Sequence, residues 1–99
     1  MLNIEKKAEN SVLTVLLTGR LDTTTAPELE KEIKGSLDGV TKLVIDTEKL
    51  EYISSAGLRV LLAAQKIMGK QGSMKVLHVS ETIMEIFDVT GFADILTIE

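Results

Sequence analysis

The feature that most constrains this chain is a regular alternation of strand-like and helix-like segments joined by short connections. Residues 11–18, SVLTVLLT, and residues 42–47, KLVIDT, are apolar runs rich in the β-branched and leucine side chains that pack on a pleated surface. Between them, TAPELEKEIKG and the two residues after it carry Leu29, Ile33 and Leu37 at i, i+4 and i+8, the stripe of an amphipathic helix. Thr25 and Glu28 have capping-box spacing, and Pro27 stands in the first turn, where its missing N–H is not needed. Gly35 or Gly39 is the expected stop.

The same alternation continues to the end. The unbroken apolar run of 42–47, closed by Asp46, reads as a strand covered on both faces. Leu50, Tyr52 and Ile53 read as a connection. A helix follows over residues 56–71, with Gly57, Val60, Leu61, Ala64, Ile67 and Met68 on one face and Gly72 as stop. Residues 73–79, SMKVLHV, form the next strand. Ser80 caps ETIMEIFDVTG, whose inward face is Ile83, Met84 and Phe87 and whose stop is Gly91. At the start, residues 2–7 are a weak strand that turns at 8–10 into the 11–18 strand as its antiparallel neighbour, and 19–24 leave the sheet. Phe92, Ile95 and Ile98 close the chain in a segment able to add an edge strand. The order is β-β-α-β-α-β-α. It defines an α/β fold with a mixed sheet of four to five strands, the first hairpin antiparallel and the rest joined by right-handed crossovers, and three or more helices.

Length and composition exclude several classes of function. At 99 residues the chain is expected to be a single domain over 1–99. It has no cysteine, so disulfides and thiolate zinc sites are out, and no metal or cofactor motif is present. A net charge of −4, with Lys6 and Lys7 the sole adjacent basic pair, argues against nucleic acid. One Tyr, two Phe and no Trp give no base-stacking platform. MLNIEKKAEN lacks the apolar run of a signal peptide, and no apolar stretch reaches the ~18 residues that span a bilayer. The expected location is the cytoplasm, away from membranes.

The chemistry concentrates in EYISSAGLRVLLAAQK, residues 51–66. Ser54 and Ser55 precede a helix that needs one N-cap hydroxyl. In open α/β sheets, ligands and partners meet the carboxyl ends of the strands, so Asp46, Asp22 and the serines are expected on one edge. A nucleophilic serine needs a base in reach. The one His, His78, stands on the following strand, but SSAG lacks the flanking glycines of a nucleophile elbow. A hydroxyl at a helix start is also a phosphate-acceptor site, since the helix N-terminus tolerates the added charge of about −1.5 to −2.

These segments together resemble the STAS domain, in particular the small stand-alone anti-sigma factor antagonists of bacteria. GRLDTTTAPELEKEI resembles the family's Gly-x-Leu-Asp segment and first helix, LVIDTEKLEYISSAGLRVLLAAQK its serine-containing turn and Gly-Leu helix, and GSMKVLHVSETIMEIFDVTGFADIL its closing part. The resemblance implies no enzymatic activity. It implies a protein that binds an anti-sigma factor serine kinase while unphosphorylated, is released on phosphorylation, and is restored by a phosphatase. Alignment on Gly57-Leu58 puts the acceptor at Ser55, with Ser54 the second choice. The partner edge is then Asp22, Thr23, Ser54, Ala56, Gly57 and Arg59. Ser54 stands where the family often has Asp, Ala56 where it often has Ser or Thr, and Arg59 where small residues are common. Arg59 is one helical turn from Ser55, within reach of a phosphate there. The alternatives are a STAS interaction module that is never phosphorylated and a small-ligand or nucleotide sensor, for which no phosphate loop is present.

Overall fold

A computed structural model describes residues 2–99. In chain order the elements are β1 (Leu2–Glu9), β2 (Val12–Leu21), α1 (Ala26–Lys34), β3 (Lys42–Ile53), α2 (Ser55–Gln71), β4 (Ser73–Leu77) and α3 (Glu81–Thr90), followed by a 3₁₀ turn (Phe92–Asp94). The sheet order is β1-β2-β3-β4, with β1 antiparallel to β2 and the other pairs parallel. Asn10 and Ser11 close the first hairpin at φ 50° and 70°, the two-residue geometry whose twist matches the flanking strands. Ala8 and Glu9, expected in the turn, are therefore the end of β1.

Because β2, β3 and β4 advance in one direction across the sheet, two right-handed crossovers bring α1 and α2 to the same face. Leu13, Val15 and Leu17 of β2, Leu43 and Ile45 of β3, and Met74 and Val76 of β4 form one core with the helices. Leu29 and Ile33 of α1, Leu61 and Met68 of α2, and Ile83 and Phe87 of α3 complete it. Val44 is buried but lies outside that core, on the other face, paired in register with Thr14 and Lys75. Helices thus cover one face of the 42–47 run, not two.

Two expectations at the centre of the chain are corrected. β2 continues to Leu21 instead of leaving the sheet at Gly19, and β3 continues through Leu50, Tyr52 and Ile53 instead of ending at 47. The pairing shifts between Leu16 and Thr18 and again between Gly19 and Arg20. Each bulge adds one residue to β3, so beyond Ile45 its buried positions run Thr47, Leu50, Ile53 with broken alternation.

The connections are fixed by specific contacts. α1 ends at Gly35, whose N–H donates to the Lys31 carbonyl at 3.1 Å. The Gln71 side-chain amide donates to the carbonyls of Leu37 and Val40 at 2.7 and 2.6 Å, tying the end of α2 to the α1–β3 loop. At Gly72 the chain passes so close to Thr41 that a Cβ would lie 1.8 Å from its carbonyl oxygen. β4 ends at Leu77, two residues before the expected boundary, where His78 at φ 56° turns the chain. Ser80 caps α3 by accepting the Ile83 N–H, and Gly91 ends it at φ 82°. The closing segment makes a single parallel bridge, Ile98 to Val76, so among the described residues the sheet has four strands and no fifth.

Candidate functional site

The carboxyl ends of β2 and β3 and the first turns of α1 and α2 meet at one edge. The Ser54 N–H donates to the Leu21 carbonyl at 2.8 Å, which sets the start of α2 directly beside Asp22. Ser54 is extended, at φ −94° and ψ 175°, and its Oγ accepts the Gly57 N–H at 3.3 Å. Ser54 is therefore the cap. Ser55 is the first helical residue and is exposed, and its hydroxyl enters none of the side-chain hydrogen bonds found among the described residues. The two hydroxyls divide the labour that one could not explain.

Gly57 belongs beneath this edge, not on it. It is buried, and a Cβ there would lie 2.7 Å from Leu21 Cγ and 2.9 Å from Ile53 Cγ1. Its missing side chain lets the first turn of α2 settle onto the ends of β2 and β3, which presents Ser55 at the surface.

Asp22 organises the other half. Its Oδ1 accepts the N–H groups of Thr24 and Thr25 at 3.0 and 3.1 Å, and its carbonyl accepts the Ala26 N–H at 2.8 Å. The capping box expected of Thr25 and Glu28 does not form. The Thr25 hydroxyl instead donates to the Arg20 carbonyl and accepts the Asp22 N–H, both at 2.9 Å. The Thr25 N–H first, with the Thr24 N–H and the Thr25 hydroxyl assisting, holds the Asp22 carboxyl below the ordinary carboxylate value, against an opposing cost of burial second in size to the Thr25 N–H. Arg20 stands over the Tyr52 ring, 4.5 Å from its centroid, and reaches toward Asp22 with Nε 4.0 Å from Oδ2.

A shallow cleft runs between the two helix starts. Thr23, Pro27 and Glu30 line it from the α1 side, and Ala56, Arg59 and Val60 from α2. Thr23, Ala56 and Arg59, named from the sequence, thus share one surface. Pro27 and Glu30 were not anticipated. Glu30 follows Ala26 at i, i+4, off the Leu29–Ile33 stripe, which is the one sequence signal that marks it as facing elsewhere than the core.

Asp46 is not part of this edge. It lies seven residues before Ile53 on β3, on the order of 20 Å along the strand. There it sits 3.1 Å from His78 Nδ1, and that hydrogen bond, with the carboxylate's charge, raises the imidazole pKa above its ordinary value. The one histidine is thus paired with Asp46 and not with Ser55.

A two-layer mixed sheet with one-sided crossovers and an unengaged hydroxyl at the start of α2 defines the class. The chain belongs to the STAS domain family, whose model matches residues 3–99. Among its relatives is the anti-sigma-B factor antagonist of Bacillus subtilis, 31% identical over 98% of this chain and 90% of that protein. An anti-sigma factor antagonist from Mycobacterium paratuberculosis superposes with a TM-score of 0.89 at 26% identity, covering 99% of this chain and 85% of that one. The Bacillus cell fate determinant SpoIIAA, solved in its phosphorylated form, shares the fold at a TM-score of 0.76 and 18% identity, over 98% of this chain and 91% of that one.

Proposed function

We propose that this chain is an anti-sigma factor antagonist switched by phosphorylation at Ser55. It is a binding module, not an enzyme, and residues 1–99 act as one domain in the cytoplasm. With Ser55 unmodified, the α1–α2 edge docks on an anti-sigma factor that is also a serine kinase. Phosphate transfer to Ser55 ends the complex, and a phosphatase restores it. The relatives named as anti-sigma factor antagonists support the antagonist part of the reading. The observation that carries it is the division of roles in the serine pair. Ser54 is occupied as the cap, while Ser55 is exposed and its hydroxyl is free for an acceptor role.

The energetics favour a switch that acts on the complex and leaves the fold alone. At the start of a helix a dianion gains about 0.3–1 kcal/mol from the helix dipole. Held about 4 Å from a partner's acid, each unit of the new charge costs about 4 kcal/mol at an effective dielectric of about 20. The interfacial term is larger and opposite in sign. Asp22, Thr23, Ser54, Ala56 and Arg59 form the rim the partner reads, and Arg59, exposed one turn after Ser55, is spaced to meet the phosphate.

The test is incubation with the cognate kinase and ATP, followed by mass spectrometry of the peptides. A single added phosphate on Ser55, absent from Ser55→Ala, is the expected result. Unchanged mass, or full labelling of Ser55→Ala, overturns the assignment.

A further inference from the structure

The charges of this chain are unevenly distributed. Residues 76–99 contain five acids, Glu81, Glu85, Asp88, Asp94 and Glu99, and no lysine or arginine, whereas all 11 basic residues precede position 76. The same stretch holds the two large apolar side chains most exposed among the described residues, Val89 at 82% and Ile95 at 48%. On α3, Thr82, Ile86 and Val89 fall at i, i+4 and i+7 and line a shallow apolar groove with Glu85 and Thr90. Ile83 and Phe87 are fully buried on the opposite side, so core packing has no use for the outer stripe. None of these residues belongs to the α1–α2 edge.

We infer that the outer face of α3 is a docking surface for a basic amphipathic helix of a partner protein. Apolar side chains of such a helix meet Ile86 and Val89, and its lysines or arginines meet Glu81, Glu85 and Asp88, which share the i, i+4, i+7 stripe along one side of the apolar one. The acidic rim decides among occupants. It repels anionic lipid headgroups and nucleic acid phosphates alike. A second copy of this chain would set acid against acid across a two-fold contact, because the same patch faces itself.

The test is a titration of the isotope-labelled full chain, followed by amide shifts in NMR, with a synthetic lysine–leucine peptide of about five helical turns. A scrambled peptide of the same composition is the control. The expected result is saturable shifts confined to residues 82–95, about tenfold weaker binding to Val89→Lys, and weakening as salt rises from about 0.05 to about 0.5 M. Val89 is exposed enough for that variant to fold, which its melting curve checks. Equal binding of the scrambled peptide, shifts centred elsewhere, no saturation, or self-association through residues 82–95 each overturns the proposal.

Discussion

The backbone N–H of Ser54 donates to the carbonyl of Leu21, 2.8 Å away, so the helix that carries Ser55 begins where β2 ends and Asp22 begins. This one bond joins the two halves of the candidate edge and separates the roles of the two serines. Ser54→Ala removes the cap and is expected to cost about 1 kcal/mol of folding stability. Ser55→Ala is expected to stay within about 0.5 kcal/mol of the parent. Urea unfolding of the two variants measures both, and a larger loss at 55 than at 54 reverses the assignment of cap and free hydroxyl.

Gly57 is required by packing against Leu21 and Ile53. A Cβ would lie 2.7 and 2.9 Å from their side chains, so Gly57→Ala forces a shift that outweighs alanine's better helix propensity. The expected loss is about 1–2 kcal/mol, and more for Gly57→Val. Denaturant midpoints test this, and a stabilised Gly57→Ala contradicts the close approach.

Gly69 and Gly72 make an internal control three residues apart. A Cβ at Gly69 meets nothing within 4 Å, inside an exposed stretch of α2. Gly69→Ala should stabilise by about 0.5–1 kcal/mol. At Gly72 the added carbon would lie 1.8 Å from the Thr41 carbonyl oxygen, and backbone cannot swing aside as a side chain can. Gly72→Ala should lower the melting temperature sharply, in the opposite direction to Gly69→Ala.

The His78–Asp46 pair gives the stability a pH dependence of known sign. The folded-state pKa of His78 lies above the ordinary 6.5, through the Asp46 hydrogen bond first and its charge second. The contribution is therefore complete below 6.5 and disappears as pH rises through the raised value. Glu48 acts in the same direction. Melting temperature should fall across that interval in the parent chain and be flatter there in Asp46→Asn and in His78→Gln. Asp22 acts in the opposite sense: its carboxyl is held below the ordinary 3.8, so its contribution is lost as pH falls through that lowered value.

The helices were legible in the sequence because their signals are local. Ser80 and Gly91 bracket α3, and the apolar face of α2 repeats at helical spacing. β3 beyond Thr47 was not legible, because two bulges break the alternation that identifies a half-buried strand. That same error placed Asp46 at the serine edge, when the longer strand puts it near β4 and His78. The Thr25–Glu28 box failed because Thr25 is buried, so its hydroxyl serves Arg20 and Asp22. Of the site, Asp22, Ser54 and Ser55 were readable from strand ends and helix starts. Glu30 and Pro27 join it through the packing of α1 on α2, and Arg20 meets Tyr52 through strand register; no local pattern encodes either.

The central claim is that an uncharged hydroxyl at Ser55 permits docking and a phosphate there prevents it. The most direct measurement is the affinity of the cognate anti-sigma factor for the parent chain and for the same chain carrying phosphoserine at 55. The account predicts at least about a hundredfold loss of affinity, from an interfacial cost of about 4 kcal/mol per unit charge at close range, with little change in melting temperature. Equal affinity for the two forms, or a loss that appears only because the phosphorylated chain unfolds, contradicts it.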